Sequence, residues 1–491
     1  MKSDHNMPTP FIIGFDGTSV TPSLKSHLLE INPAGVVLFR RNIESVQQVM
    51  KLITDLKDLL GAIIIAVDHE GGVVSRFPED CPVPPSPNAL RYADSRNVTR
   101  EACRLQAELL NYLGFNLNFA PVLDLAVDPE NQVIGTRAYS ADPTEVGEYG
   151  EICFNEHQKL NIATSAKHFP GHGRTDLDSH YVSGNVIHSN LEEFQNDIEP
   201  FGKLVDMGIP TVMTAHLTYP IVDPEFPASL SAVILKDILR TQLKFSGLII
   251  SDCVEMAGIT GELSPENIIT QGLLAGIDLF ISSFSIKKSK EFQLALKRAY
   301  QDFLYNHREP GYFVFDRLKP FRERYITREN KQTSLPDYND AILKHQKTLE
   351  KVNYSKLNKA YQKMVLVELA NRSYQGVNAD PGWNQASRII KEECYLIEKS
   401  VINTQCNLQE FNNIMKLCNE SRLTCVLMTY NGYRNETYED FMKIFQKVDS
   451  GVHIALLDKR DLRNFCQNEW VTRGFNAFTG KMLAQELLRL V

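Results

Sequence analysis

Eight short apolar segments, separated by longer amphipathic ones, most constrain how this chain of 491 residues can fold. The apolar segments are residues 11–15, 35–39, 62–68, 117–125, 163–169, 210–216, 247–252 and 279–283. Helical patterns lie between them at residues 43–60, 99–113, 143–160, 191–207, 231–243 and 265–275. Eight strands that alternate with helices indicate an α/β fold of the (β/α)8 barrel type, for which roughly 250 residues is typical.

The remaining length predicts a second, smaller domain, because a single hydrophobic core stops growing beyond about 250–300 residues. We predict a catalytic barrel over residues 1–305, a charged linker or arm over 306–340, and a supportive C-terminal α/β domain over 341–491. In the last domain, residues 341–372 are expected to be helical. Residues 423–428, 438–448 and 452–457 are predicted to form a β-α-β unit.

The composition argues against some classes of partner and favours one cellular compartment. A net charge of -8 provides no basic surface for nucleic acid or an anionic membrane. The first ten residues are polar, and no apolar stretch approaches the roughly 18 residues that span a bilayer, so we expect a cytoplasmic protein. The nine cysteines form no Cys-x-x-Cys pair and are expected to be free thiols, not a disulfide framework or a thiolate zinc site. The oligomeric state is left open.

Polar residues close several of the predicted strands. They are Asp68, Asp124, the pair Lys167 and His168, His216, and Asp252. Any one of them is explained by a surface residue that ends a strand. Because a barrel places its chemistry at the carboxyl ends of its strands, their shared position favours one common site.

Asp252 follows a wholly apolar strand, where a carboxylate must face a polar cavity or a cation. It is therefore a candidate nucleophile or ligand. Asp178 and His180 lie on a loop rich in glycine and proline, where the carboxylate can orient the histidine for proton transfer near pH 7. An Asx-turn or a helix cap is the alternative explanation for that pair.

Charged groups near the other strand ends suit a polyhydroxylated ligand. Asp68 can accept two hydroxyl hydrogen bonds, and the glycines that follow it allow a ligand to approach the backbone. Arg76, Arg137 and Lys167 supply hydrogen-bond donors, although each arginine alone is equally well explained by a structural salt bridge. The expected partner is a small carbohydrate, with no cofactor and no metal.

These residues lie in motifs that resemble the β-N-acetylhexosaminidase branch of glycoside hydrolase family 3, whose members remove N-acetylglucosamine from cell-wall fragments. The motifs occur in the family's order and span residues 8–285. They are 35–42 (GVVLFRRN), 68–77 (DHEGGVVSRF), 118–125 (NFAPVLDL), 134–137 (IGTR), 167–180 (KHFPGHGRTDLDSH), 212–216 (VMTAH), 227–231 (PASLS) and 251–256 (SDCVEM).

The resemblance implies a role for each matching position. Asp252 is similar to the nucleophile that forms a covalent glycosyl-enzyme, His180 to the general acid/base, and Asp178 to the partner of that histidine. The positions that resemble the family's sugar-binding residues are Asp68, Arg76, Arg137, Lys167 and His168. The implied activity is that of a retaining exo-β-N-acetylglucosaminidase that acts on peptidoglycan fragments.

The chain departs from the family pattern at three places. Arg174 stands where many relatives have an acidic or small residue, and Gly184 where relatives often continue toward a proline, which puts the leaving-group preference in doubt. The C-terminal region resembles the family's second domain only faintly and looks shorter. Every candidate site residue precedes residue 285, so we expect this region to be supportive and not catalytic.

Four alternatives stay open at this point. A histidine acid/base becomes neutral after proton donation and does not repel phosphate, which allows an N-acetylglucosaminide phosphorylase. A β-glucosidase of the same family is expected to lack the GHG-x4-DSH loop. A metal-dependent hydrolase could use His168, His172, Asp178 and Asp252, and would be inhibited by EDTA. A non-catalytic sugar-binding protein would keep the site without turnover.

The motif at residues 167–180 contains a strand end that is expected to be rigid and a loop that is expected to move. Lys167 and His168 belong to the end of a strand and are expected to hold the sugar rigidly. Asp178 and His180 follow the Pro-Gly hinge, so we expect them to arrive with loop closure and to show raised mobility without ligand.

Overall fold

Eight parallel strands close into a barrel in the computed structural model of the chain, which confirms the predicted fold class. The barrel strands are β1 (Thr9–Ile13), β2 (Pro33–Leu38), β3 (Ile64–Val67), β4 (Leu117–Asn118), β5 (Ala163–Phe169), β6 (Thr211–Thr214), β9 (Leu248–Cys253) and β10 (Leu279–Ser282). Between β6 and β9, the short strands β7 (Thr218–Tyr219) and β8 (Asp223–Pro227) pair with each other in antiparallel fashion. Around the barrel the order is β1-β10-β9-β6-β5-β4-β3-β2.

The structure describes most of the first 327 residues and shorter parts of the remainder. The described residues are 8–78, 81, 83–93, 96–128, 131, 133–175, 184–256, 259, 263–283, 286–306, 314–327, 350–353, 364–370, 397–402, 408–420, 424–430, 438–448, 451–455, 468–471, 483 and 487. They fall into two compact units. The first comprises Met1–Glu70, Val74–Cys81 and Thr99–Pro336, and the second Gly71–Val73, Pro82–Val98 and Asp337–Val491.

Helices alternate with the barrel strands, as the sequence pattern predicts. They are α1 (Pro22–Ile31), α2 (Val46–Leu60), α3 (Pro87–Tyr92), α4 (Arg96–Leu113), α5 (Pro143–Gln158), α6 (Leu191–Asp206), α7 (Val233–Gln242), α8 (Pro265–Ala275), α9 (Ile286–Asn306) and α10 (Val314–Tyr325). The hydrogen bonds of α7 follow the wider π-helical pattern.

Side-chain caps fix where many of these helices begin. In each case an oxygen of the residue before the helix accepts a hydrogen bond from a backbone amide three residues later, which satisfies a donor without a helical partner. The capping residues are Thr21, Ser45, Ser86, Asp142, Asn190 and Ser264. Proline follows the cap in α1, α3, α5 and α8, a position where its missing amide costs nothing.

The fourth strand is shorter than predicted. The sequence predicts a strand over residues 117–125, whereas β4 ends at Asn118. Pro121 has no amide hydrogen and cannot continue the ladder. The chain pairs again beside β5, where the Leu123 amide donates to the Lys167 carbonyl over 2.7 Å, so the segment still runs to the carboxyl end of the barrel.

Aliphatic side chains fill the barrel, and α10 packs against the same core. Ile12, Ile64, Leu117 and Ile250 are buried in one cluster that also contains Leu318, Phe321 and Tyr325 of α10. This helix lies within residues 306–340, the segment predicted to be a linker or arm. Asp278 connects α10 to the barrel strand β9, since it accepts hydrogen bonds from Arg317 of α10 and from the Ile249 amide of β9.

The second unit contains a six-stranded sheet. Its strands are β11 (Glu350–Asn353), β12 (Met364–Ala370), β13 (Ile397–Ile402), β14 (Thr424–Tyr430), β15 (Gly451–Ala455) and β16 (Asn468–Val471), in the order β11-β16-β15-β14-β12-β13. All neighbours are parallel except β11 and β16. The helices α11 (Leu408–Glu420) and α12 (Tyr438–Phe445) contribute Phe411, Met415, Phe441 and Phe445 to a core beneath β14.

The structure contradicts the helical interpretation of residues 341–372. Two strands, β11 and β12, lie in this range, and β12 pairs in parallel with both β13 and β14. A short apolar run does not distinguish a buried strand from a buried helix by periodicity alone, and here sheet pairing decides. The predicted β-α-β unit is confirmed, because β14, α12 and β15 occupy the expected positions.

Two further expectations concern thiols and membranes. Six cysteines in the described ranges are free and buried, as predicted: Cys81, Cys103, Cys153, Cys253, Cys418 and Cys425. Among the helices that the structure describes, none is both long and apolar enough to cross a bilayer.

Removal of the Phe321 side chain tests whether α10 is part of the barrel core. We expect Phe321→Ala to lower the free energy of unfolding by about 3–5 kcal/mol, because it leaves a cavity beneath the barrel. The measurement is urea unfolding of the full chain, followed by circular dichroism. Lys319→Ala, an exposed change on the same helix, is the control, and equal effects of the two substitutions would contradict the assignment.

Candidate active site

The carboxyl ends of the barrel strands lie at one rim, because all eight strands are parallel. Asp68 follows β3 directly, Lys167 and His168 are near the end of β5, and Asp252 is the next-to-last residue of β9. His216 follows β6 by two residues. The structure thus places the predicted strand-end residues at the same end of the barrel.

Lys167 is the centre of a buried ionic network. Its side chain is only 2% exposed, and its Nζ lies 2.8 Å from Oδ1 of Asp68 and 2.5 Å from Oε1 of Glu70. Arg76 donates to the other oxygen of Asp68 over 3.3 Å. Burial by itself would raise the pKa of Asp68, but the charges and hydrogen bonds of Lys167 and Arg76 lower it well below its ordinary value, so Asp68 is ionised.

Arg137 joins this network through Glu70. Its Nε and one terminal nitrogen donate to the two carboxylate oxygens of Glu70 over 2.8 and 2.9 Å, which is a bidentate pair. Burial acts to raise the pKa of Glu70, and the charges of Arg137 and Lys167 lower it below the usual value. Glu70 therefore orients two of the predicted sugar-binding cations at once.

His168 is held in one tautomer by two neighbours. Its Nδ1 lies 2.7 Å from Oδ2 of Asp124, which can only accept, so Nδ1 carries the proton. Its Nε2 lies 3.3 Å from a nitrogen of Arg137, which can only donate, so Nε2 is an acceptor. These two contacts fix the orientation of the ring.

Asp124 also holds the backbone of the following loop. Its Oδ1 accepts from the amides of His168 and His172 over 3.1 and 2.7 Å. Burial would raise the pKa of Asp124, yet the neighbouring histidines and these hydrogen bonds lower it to about 2. Asp124 is thus a buried carboxylate that fixes both the ring and the backbone of His168.

The network is balanced in charge, which is what allows it to be buried. It contains three carboxylates and three cationic side chains. The carboxylates are Asp68, Glu70 and Asp124, and the cations are Arg76, Arg137 and Lys167. Sequence reasoning did not include Glu70 among the site residues and recognised Asp124 only as a strand-end residue. The available signal for Glu70 was its place two residues after Asp68, within the motif at 68–77.

His172 lies beside His168, with its ring centroid 6.0 Å away. Its side chain is buried, and burial lowers its pKa to about 4, so the imidazole is neutral at pH 7. Within the described part of the chain, neither of its ring nitrogens has a hydrogen-bond partner.

Backbone geometry explains two glycines of the motifs. A Cβ atom on Gly173 would lie 1.8 Å from the Leu125 carbonyl oxygen, so the loop after β5 can pass Leu125 only with glycine there. Gly72 has a φ of +58°, and a Cβ on it would lie 2.5 Å from the side chain of Ser86. The requirement for glycine at residue 72 therefore comes from conformation and packing, although the sequence had suggested close approach of a ligand.

Asp252 is half-buried at the rim, and its Oδ1 accepts the amide of Cys253 over 2.7 Å. Burial raises the pKa of the Cys253 thiol to about 12, so this neighbouring thiol is not a nucleophile at neutral pH.

Asp178 and His180 lie in residues 176–183, outside the described residues. The chain on both sides of this segment is attached to Asp197 of α6. Arg174 donates from Nε to both oxygens of Asp197 over 3.1 and 3.0 Å, and His188 donates from Nε2 over 2.8 Å. Arg174, which departs from the family pattern, thus forms a buried ion pair at one end of the segment that carries the predicted acid/base.

No group of three His, Cys, Asp or Glu side chains in the described ranges is arranged to hold a metal ion.

The chain is similar to several known proteins. The family model for the glycosyl hydrolase family 3 N-terminal domain matches residues 15–299. A β-hexosaminidase of Hydrogenovibrio crunogenus is 37% identical over 278 residues, which cover 55% of this chain and 77% of that protein.

Two solved structures are also similar. A family 3 β-N-acetylglucosaminidase from Paenibacillus sp. str. FPU-7 matches with a TM-score of 0.84 at 24% identity, over 98% of this chain and 95% of that one. NagZ from Neisseria gonorrhoeae, solved with N-trifluoroacetyl-D-glucosamine, matches with a TM-score of 0.53 at 27% identity, over 65% of this chain and 98% of that one. The first likeness extends the agreement in fold to the C-terminal unit.

The lowered pKa values in the network predict a dependence of stability on acid. A carboxylate with a lowered pKa stabilises the folded chain above its unfolded pKa near 4, and this contribution is lost as the pH falls through the folded pKa. For Asp124, the shift from 3.8 to about 2 corresponds to on the order of 2 kcal/mol at pH 7. The free energy of unfolding of the wild type should decrease between pH 7 and pH 3. We expect this decrease to be about 1 kcal/mol smaller in Asp124→Asn.

Urea unfolding of the full chain at the two pH values provides the measurement. Asp206→Asn, which changes an exposed carboxylate at the end of α6, is the matched control and should show the wild-type fall. An Asp124→Asn variant with an undiminished fall would show that Asp124 is not the ionised group described above.

Proposed function

Because the chain belongs to glycosyl hydrolase family 3, we propose that it is a retaining exo-β-N-acetylglucosaminidase, which removes terminal β-linked N-acetylglucosamine. The proposal is supported by the charge-balanced network around Lys167, which lies at the same barrel rim as Asp252. The network supplies fixed hydrogen-bond acceptors and donors that can bind a sugar, and the carboxylate of Asp252 beside it can attack that sugar.

Sugar binding is assigned to the network. The ionised Asp68 can accept hydrogen bonds from two neighbouring hydroxyl groups, and Lys167 and Arg76 can donate to sugar oxygens. Arg137 and His168 complete this set. Because each of these side chains already has fixed partners, little conformational entropy is lost when the sugar binds, which favours one orientation of the ring.

The proposed chemistry uses two steps at the anomeric carbon. In the first step, a carboxylate oxygen of Asp252 bonds to this carbon as the bond to the leaving oxygen breaks, and His180 gives its proton to that oxygen. In the second step, His180 takes a proton from water, whose oxygen bonds to the same carbon and releases Asp252. Asp178 is assigned to orient His180 and to stabilise its protonated form.

The substrate and the compartment are part of the same proposal. The N-acetyl group is inferred from the β-hexosaminidase relative and from the sugar in the NagZ structure. We assign peptidoglycan fragments as the natural source of the terminal sugar on the motif resemblance, and the cytoplasm as the compartment on the sequence composition. The C-terminal unit is assigned a supportive role, since every proposed site residue lies in the first unit.

Phosphorolysis is the second candidate. It is favoured by the histidine in the acid/base motif, because neutral imidazole does not repel an incoming phosphate dianion as a carboxylate would. Release of sugar 1-phosphate in phosphate buffer would identify this reaction. If no sugar 1-phosphate forms while the substrate is consumed, the reaction is hydrolysis.

The nucleophile is tested by Asp252→Asn with the chromogenic substrate p-nitrophenyl N-acetyl-β-glucosaminide. We expect kcat to fall by on the order of 10³-fold or more, because the covalent step is lost, with binding of N-acetylglucosamine retained. Release of p-nitrophenol gives kcat, and calorimetric titration with N-acetylglucosamine gives the affinity. Asp206→Asn is the control carboxylate, and full activity of Asp252→Asn would refute the assignment.

The substrate class is tested by comparing that substrate with p-nitrophenyl β-glucoside. We expect a higher kcat/KM for the N-acetylglucosaminide, and a preference for the glucoside would favour the β-glucosidase alternative. Inhibition of turnover by EDTA would favour the metal-dependent hydrolase. Sugar binding without turnover of either substrate would favour a binding protein.

A further inference from the structure

His216 belongs to a buried chain of hydrogen bonds that ends at Asp252. The residue follows β6, and its side chain is 1% exposed. Its Nδ1 lies 2.8 Å from Oγ of Ser229, and its Nε2 lies 3.2 Å from the carbonyl oxygen of Cys253. These contacts connect two motifs, residues 212–216 and 227–231, to which the proposed chemistry assigns no role.

The partners determine which ring nitrogen carries the proton. A carbonyl oxygen can only accept, so Nε2 of His216 donates to Cys253. Nδ1 lies beside the hydroxyl of Ser229, which can accept or donate there. Ser229 lies in a short 3₁₀ turn, Ala228–Leu230, whose Ala228 amide donates to the Leu217 carbonyl over 2.8 Å. The turn therefore holds this hydroxyl against the ring.

The backbone of Cys253 is fixed on both sides. Its amide donates to Oδ1 of Asp252 over 2.7 Å, and its carbonyl accepts from Met256 over 3.0 Å as well as from His216. The next amide, of Val254, donates to the Ile281 carbonyl of β10 over 2.8 Å. A shift of this backbone would move the carboxylate of Asp252 with it.

We propose that His216 is a positioning residue for the nucleophile Asp252, which it holds in place through the backbone of Cys253. The proposal rests on the function proposed above. A nucleophile must lie about 3–3.5 Å from the carbon that it attacks, and an error of 1 Å can cost on the order of 100-fold in rate. His216 supplies the rigidity that this distance requires, and it does so from the neighbouring strand β6 without contact with the sugar.

Two amide substitutions of His216 separate the role of one ring nitrogen from that of the other. The side chain of His216→Gln places an N–H donor near the former Nε2, whereas that of His216→Asn reaches only the position of Nδ1. Both are uncharged and polar, so they differ mainly in the hydrogen bond to Cys253. We expect the Asn variant to lose about 100-fold in the rate of glycosyl-enzyme formation, and the Gln variant to lose less than about fivefold.

The rate is measured with 2-acetamido-2-deoxy-5-fluoro-β-glucosyl fluoride, a probe that forms a slowly hydrolysed glycosyl-enzyme. Mass spectrometry of the full chain gives the rate of adduct formation, and peptide mapping gives its site. Affinity for N-acetylglucosamine, measured by calorimetry, should be the same within about twofold in both variants, because the sugar-binding network is not changed. Equal losses of rate in the two variants, or a parallel loss of affinity, would overturn the proposal.

The tautomer of His216 in the wild-type chain provides a test that does not depend on the folding of a variant. With ¹⁵N-labelled histidine, nuclear magnetic resonance should show a ring protonated on Nε2, assigned by its absence from the spectrum of His216→Gln. A ring protonated on Nδ1 alone could not donate to Cys253 and would overturn the proposal.

Failure of the proposed function gives a different result from failure of this inference. If Asp252 is not the nucleophile, the wild-type chain forms no adduct with the probe, or the adduct maps to another residue. If Asp252 is the nucleophile but His216 does not position it, the adduct maps to Asp252 and forms equally fast in the His216→Asn variant.

Discussion

The ion pairs of Lys167 are the interaction on which the rest of the site depends. A lysine that is 2% exposed is tolerated only because Asp68 and Glu70 lie within hydrogen-bond distance of its ammonium group. Glu70 in turn binds Arg137, which contacts His168, and Asp124 holds His168 from the other side. The ends of β3 and β5 are thereby locked together across the short strand β4. Loss of one member would leave a buried charge without its partner, so the site is rigid as a unit.

The proposed nucleophile and the proposed acid/base come from different parts of the chain. Asp68, Lys167, His168 and Asp252 lie on strands or directly after them. Asp178 and His180 belong to residues 176–183, outside the described residues. Asp197 of α6 holds Arg174 and His188, the described residues near the two ends of that segment.

The barrel could be predicted from the sequence because its signal is local: eight apolar segments, six of them followed by an amphipathic one. The strand-end positions of Asp68, Lys167 and Asp252 followed from the same pattern. Glu70 could not be recognised as a member of the site, because its function depends on Arg137, 67 residues away in sequence. The link from His216 to Asp252 is equally non-local, since it runs through the Cys253 carbonyl. The strands within residues 341–372 were misread because a short apolar run suits either a helix or a strand, and only pairing with neighbouring strands distinguishes them.

In the proposed function, one sugar ring contacts the Lys167 network while its anomeric carbon faces Asp252. A crystal structure of the chain after reaction with the 5-fluoro glycosyl fluoride would show whether both contacts form. We expect a covalent bond from a carboxylate oxygen of Asp252 to the anomeric carbon, with ring hydroxyl groups within hydrogen-bond distance of Asp68 and Lys167. A sugar bonded to any other residue, or a ring bound away from Lys167, would contradict it.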